Sequence, residues 1–123
     1  MGSGSNGEGQ AVVFDREAAL AAVDGDLELM AELAELFLSD APGLVEEIRC
    51  SVREGDAQAL RRSAHTLKGA ASNFRAQATV QAALCLECMG RDEDLSDAEQ
   101  ALERLVHELD HLNPRLAKLA EAS

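Results

Sequence analysis

Apolar residues recur every three or four positions along most of this chain, and there are no β-branched runs. Leu102, Leu105, Val106, Leu109 and Leu112 form one such stripe. Leu27, Met30, Leu33, Leu36 and Phe37 form another, continued by Leu44, Val45, Ile48 and Val52. Spacing of this kind places the residues on one face of an α-helix and fits no strand. Leu60, Leu67 and Phe74 make a third stripe, and Val80, Leu84 and Cys88 a fourth. With no Trp or Tyr and only three Phe, the shared core has to be built mainly of Leu and Ala, both good helix formers. Short connections between amphipathic helices favour antiparallel neighbours. The sequence therefore predicts an all-α, antiparallel up-down four-helix bundle with a short leading helix.

Local signals set the expected boundaries. Asp15 can cap a short helix through about Val23, with Phe14 before it as a hydrophobic staple. Asp24-Gly25-Asp26 is a break, and Asp26 caps the next segment. Asp40-Ala41-Pro42 either starts a new helix or kinks one long helix that stops at Glu54-Gly55. Asp56 opens a helix to about Asn73, and another runs from Gln77 to Met89 with Gly90 as its stop. Ser96, with Glu99 three residues on, forms a capping box for the last helix. Pro114 should kink or end that helix near His111, leaving residues 115–122 as one more turn or two. Met1 to Gln10 is rich in Gly and Ser and reads as a linker or tag, so residues 11–123 form the expected single domain.

The net charge of −12 argues against nucleic acid or an anionic membrane as partner. No run of 18 apolar residues offers a membrane span. The charge is also unevenly placed. From Ala57 to Leu86 there is no Asp or Glu, while Arg61, Arg62, Lys68 and Arg75 lie within that window; all 23 acids fall outside it. A local positive field in an acidic protein suits a site that meets a phosphoryl group or an acidic pocket. Cys50, Cys85 and Cys88 make an odd count and suggest free thiols in the reducing cytoplasm. Cys85-x-x-Cys88 lies within a helical pattern with no second pair, and reads as two small buried residues on one face rather than a redox or metal motif.

His65 stands inside the acid-free window. At about 100° per residue, Leu60, Leu67 and Phe74 fall opposite it, whereas Arg61, Arg62, Lys68, Gly69 and Ser72 fall within about 60° of it. The imidazole therefore points to solvent among cations. Neutral imidazole is a nucleophile at cytoplasmic pH. Lys68, one turn away, sits to neutralise a phosphoryl group on the ring. Gly69 costs about 1 kcal/mol relative to Ala in mid-helix, and a bare surface beside the nucleophile is a reason to keep it.

The run His65-x-Leu67-Lys68-Gly69 resembles the signature of histidine-containing phosphotransfer (HPt) domains. Glu35-Leu36-Phe37-Leu38 before Ala41-Pro42, the Gly55-Asp56 turn, Leu60-Arg61-Arg62-Ser63-Ala64, Asn73-Phe74 and Leu86-Glu87 are similar to that family's surrounding text. The likeness spans roughly Phe14 to Leu112. It implies a four-helix-bundle carrier in multistep phosphorelays. His65 would accept a phosphoryl group through Nε2 from a receiver domain's aspartyl phosphate and pass it to another receiver. Lys68 would assist electrostatically, and Gly69 would give clearance. Arg61, Arg62, Ser72 and Arg75 would contribute to the receiver-docking surface. The chain would have no cofactor of its own, since the receiver would supply Mg²⁺ and most of the transition-state stabilisation. The absence of any carboxylate near His65 in sequence agrees with a carrier, not an autonomous enzyme. Further expectations are a monomer and cytoplasmic location, as a free protein or as part of a hybrid sensor kinase whose kinase modules would also be partners. One departure stands out: the family commonly has glycine ten residues after the histidine, about 15 Å along a helix, and this chain has Arg75.

Two other readings compete. His107-Glu108-Leu109-Asp110-His111 matches the H-E-x-x-H zinc-protease spacing. However, no third ligand has a recognisable spacing, and the helical register puts both histidines on a solvated face. The alternative within the same fold is a degenerate adaptor that binds receivers without accepting phosphate. The intact His65, Lys68 and Gly69 argue against it.

Overall fold

A computed structural model describes residues 12–121; the stretch Met1–Gln10, read above as a linker or tag, lies outside the described residues. The described chain is five helices: α1 (Arg16–Ala22), α2 (Leu27–Glu54), α3 (Ala57–Ser72), α4 (Gln77–Arg91) and α5 (Ala98–Glu121). Helix α2 packs on α3, α3 on α4, α4 on α5 and α5 back on α2, while α1 leans on α2. This ring of neighbours is the predicted up-down four-helix bundle with a short leading helix.

The caps follow the sequence at three of the helix starts. Asp15, Asp26 and Asp56 each accept a hydrogen bond from the backbone N–H three residues on, at 3.0, 3.0 and 3.1 Å, satisfying a donor that the first turn leaves unpaired. Gly55 ends α2 in the left-handed region at φ 69°, and Asp56 N donates back to Ser51 O. This closes α2 and aims α3 antiparallel to it. Helix α4 has no side-chain cap; Ala78 N instead donates to Val12 O at 2.8 Å, tying the N-terminal strap to the α3–α4 turn.

Leu60, Leu67 and Phe74 are buried as the register requires, as are Leu102, Leu105, Leu109 and Leu112. The three phenylalanines form one edge-to-face cluster, with Phe74 lying 5.7 Å from Phe37 and 6.4 Å from Phe14 between ring centroids. Leu36 and Leu84 fit the apolar stripes but are 57% and 41% exposed. Ala34, Ala41, Ala82 and Ala83 fill the interior in their stead, because small residues let the helices approach closely.

Of the two readings open at Asp40-Ala41-Pro42, the single long helix holds: Pro42 lies on the exposed side of a continuous α2 that ends at Glu54. Other boundaries differ from expectation. Pro114 neither ends nor shortens α5, which runs on to Glu121. The apolar stripe continues through buried Leu116 and Leu119, and burial of that order outweighs one missing backbone hydrogen bond. The Arg115 guanidinium also donates to His111 O at 2.7 Å beside the proline. Ser96 does not cap α5. Its N–H and hydroxyl both donate to Asp94 Oδ1, at 3.2 and 2.8 Å, making a local turn, and the helix starts at Ala98. Gly90 does not stop α4 either, since the helix continues to Arg91. A Cβ at Gly90 would lie 2.6 Å from Ala57 O and 2.8 Å from Arg61 N, so this glycine is where α4 crosses the backbone of α3. The cysteines are unpaired thiols, but Cys85 is exposed and Cys88 half-buried, so they are not the two buried residues expected.

Candidate functional site

His65 lies midway along α3 with its side chain 66% exposed. Its Nδ1 is 2.8 Å from Glu87 Oε2, on α4. The other carboxylate oxygen, Oε1, is 2.7 Å from Lys68 Nζ. Glu87 therefore bridges the His65 imidazole and the lysine one turn beyond it. Sequence reasoning gives this residue no role at the site. The acid-free window ends at Leu86, one residue before it, and 22 positions separate it from His65. The available signal was the register of α4, which sets Glu87 on a face with Val80 and Leu84; only the antiparallel crossing of α3 and α4 turns that face toward His65.

The contact sets which ring nitrogen carries the proton. The Lys68 ammonium, followed by the hydrogen bond to His65, holds the Glu87 carboxyl below the ordinary glutamate value of 4.5, against the opposing effect of burial. An ionised carboxylate only accepts hydrogen bonds. In neutral imidazole one nitrogen carries the proton, so His65 Nδ1–H donates to Glu87 and the lone pair is on Nε2. That nitrogen is the one turned away from the ion pair. A carboxylate behind Nδ1 also favours the positive charge that builds on the ring when Nε2 is substituted.

The surroundings separate the other predicted residues. Arg61 and Arg62 are exposed and, with Gln58, Thr66 and Glu87, line a cleft of about 510 Å³ at His65. A Cβ built on Gly69 meets nothing within 4 Å, so the helix surface beside the imidazole is open. Ser72 is exposed, and its hydroxyl donates to Gly69 O at 2.6 Å. Arg75 is not on a helix at all: α3 ends at Ser72, and Arg75 sits in the turn to α4 with φ 53°. A left-handed conformation costs an ordinary residue about 1–2 kcal/mol, which is the physical reason a glycine suits this position.

The H-E-x-x-H residues form no comparable centre. His107 and His111 are exposed with their rings edge to face, 4.6 Å apart, and Glu108 pairs with Arg104 at 3.4 Å. Among the described residues no group of three His, Cys, Asp or Glu side chains is placed to hold a metal ion. No helix among them is long and apolar enough to cross a membrane.

Comparison with known proteins bears on the same residues. No curated protein matches significantly. Histidine-containing phosphotransfer protein B (HptB) from Pseudomonas aeruginosa PAO1 superposes with a TM-score of 0.83 at 23% identity, over 93% of this chain and 99% of that one. The HPT domain of the Hpt sensor hybrid histidine kinase from Shewanella gives 0.79 at 18% identity, over 90% and 96%. These likenesses establish the fold. The Hpt domain profile matches residues 32–115, a span that includes His65, Lys68 and Glu87 together with most of the four-helix core, and the chain belongs to the Hpt domain family.

Proposed function

We propose that this phosphorelay carrier uses His65 to accept a phosphoryl group from the aspartyl phosphate of one receiver domain and to deliver it to the aspartate of another. The observation that carries this reading is the pairing of an exposed imidazole with Glu87 at Nδ1, which leaves Nε2 as the free nucleophile. In the forward step the Nε2 lone pair forms the N–P bond. The P–O bond to the receiver carboxylate breaks, and its electron pair leaves with that carboxylate. Nδ1 keeps its proton, and the imidazolium character of the phosphorylated ring is balanced by Glu87. The return step reverses these events on the second receiver.

The receiver supplies Mg²⁺ and the groups that steady the transferring phosphoryl group, as phosphoryl transfer requires; this chain supplies the nucleophile and its orientation. Gly69 gives the receiver room to close over His65, and Arg62, Ser72 and Arg75 extend the docking face around it. The chain acts as a monomer in the cytoplasm, alone or beside the kinase modules of a hybrid sensor kinase.

Incubation with a phosphorylated receiver and Mg²⁺ should place label on this chain. His65→Gln should abolish the label while leaving the helical circular-dichroism spectrum and melting temperature near those of the wild type, because the side chain is exposed. Undiminished labelling of that variant would overturn the assignment.

A further inference from the structure

Lys68 is placed for a different task from the one its position in the motif implies. Its ammonium lies 2.7 Å from Glu87 Oε1, and the carboxylate's other oxygen meets His65 Nδ1. Lys68 therefore sits on the Nδ1 side of the ring. To reach a group on Nε2 it would have to leave Glu87 without its ion partner.

The cleft at His65 is walled by Gln58, Arg61, Arg62, Thr66 and Glu87, so two arginines border it and Lys68 is not in its wall. The two arginines diverge. Arg62 also borders the groove between α2 and α3, where Glu46, Glu47, Glu54 and Asp56 present carboxylates. Arg61 lies on the α4 side of α3, and its backbone N and Cβ are the atoms a side chain at Gly90 would strike, at 2.8 and 3.0 Å. The close crossing at Gly90 thus fixes the root of Arg61 beside the helix that carries Glu87. Among the described residues Arg61 makes no ion pair. Its guanidinium is uncommitted, long enough to swing over the ring one turn away, and shaped to grip two oxygens at once.

We infer that Arg61, not Lys68, is the cation of this chain that binds the phosphoryl oxygens on His65 Nε2, while Lys68 is a positioning residue that acts through Glu87. The inference rests on the carrier reading above and adds a division of labour to it: one cation holds the phosphoryl group, and the other holds the carboxylate that sets the tautomer.

Phosphoramidate tests this without any receiver, so docking does not enter the readout. In that reaction the Nε2–P bond forms, the donor's P–N bond breaks, and ammonia leaves. The phosphoryl group of the labelled protein is then titrated by ³¹P NMR. A guanidinium at the dianion lowers its titration midpoint. Arg61→Gln should raise the midpoint by about 0.7 pH unit, the equivalent of a fivefold loss of preference for the dianion, as expected for a partly exposed pair. Arg61→Lys should recover part of the shift. Lys68→Gln should leave the midpoint in place but change the ¹⁵N shifts of unphosphorylated His65, as its Nδ1–H bond to Glu87 loosens. An unchanged midpoint in Arg61→Gln, or the full shift appearing in Lys68→Gln instead, would overturn the assignment. A wild-type chain that takes no phosphoryl group at His65 would overturn the carrier reading with it.

Discussion

Gly90→Ala puts two well-known effects in direct opposition. Alanine is favoured over glycine in a helix interior by about 1 kcal/mol, so helix propensity alone predicts a more stable protein. Packing predicts the reverse. The new Cβ would sit 2.6 Å from Ala57 O, 2.8 Å from Arg61 N and 3.0 Å from Arg61 Cβ. The first two atoms are the acceptor and donor of one α-helical hydrogen bond in α3, which cannot swing aside as the tip of a side chain can. The helices must separate by roughly half an ångström to restore ordinary contact, and overpacking of this kind costs about 1–3 kcal/mol. Net of the propensity gain, the variant should lose about 1 kcal/mol, the middle of a range of about 0–2, seen as a melting temperature lower by about 4–8 °C and a lower urea midpoint at unchanged slope.

Gly69→Ala is the internal control. Nothing lies within 4 Å of its Cβ, so it should stabilise by about 0.5–1 kcal/mol through propensity alone. The Gly90 variant has a second consequence. Glu87 is one turn before Gly90, and its 2.8 Å bond to His65 spans the same crossing. Moving α4 outward should lengthen that bond and slow phosphoryl acceptance, with His65 itself untouched. A Gly90→Ala protein that melts at or above the wild-type temperature, as Gly69→Ala should, would refute the crossing argument.

Three further outcomes are expected. Arg75→Gly should raise the unfolding free energy by about 0.5–1 kcal/mol in urea titration, because φ 53° strains any side-chain-bearing residue there. Thr79→Val should be neutral or stabilising by up to about 1 kcal/mol in the same assay, since the buried Thr79 hydroxyl has no hydrogen-bond partner and valine keeps its shape. Glu87 is held below the ordinary value of 4.5, so its contribution to stability is fully present above that pH and is lost as pH falls through the lowered value; a Glu87→Gln protein should lack this part of the acid limb in urea midpoints measured from pH 6 downward, and its His65 ¹⁵N spectrum should show more of the Nε2–H tautomer.

The parts of this molecule legible in the sequence are those set by neighbours a turn apart. Most of the helical stripes, the aspartate caps and the outward face of His65 depend on spacing within one helix, and these stand as read. The misread positions were decided between helices. Gly90 carries a helix-stop signal, but its neighbours in space are Ala57 and Arg61 on α3. Pro114 carries a break signal, but Leu116 and Leu119 continue the buried stripe beyond it. Leu84 belongs to an apolar period, yet it points to solvent on the side of α4 that flanks Glu87. Glu87 could be quoted as part of a familiar text and still have no role assigned, because nothing within α3 calls for a carboxylate.

The same distinction applies to the chemistry. A solvent-facing histidine on a single helix has no partner that holds the proton on Nδ1, and so no preference for a free lone pair on Nε2. The preference arises only when a second helix brings an ionised carboxylate to Nδ1, and that approach depends on the absence of a side chain at Gly90 one turn away. The tautomer of His65 is therefore a property of the α3–α4 pair, not of the five-residue run around it. A chain that kept the run but carried a bulkier residue at the crossing would present the same motif with an unbiased imidazole. In such a chain the histidine would still be exposed and the signature would still read correctly, yet the nitrogen facing a receiver would carry its proton in a large share of the molecules.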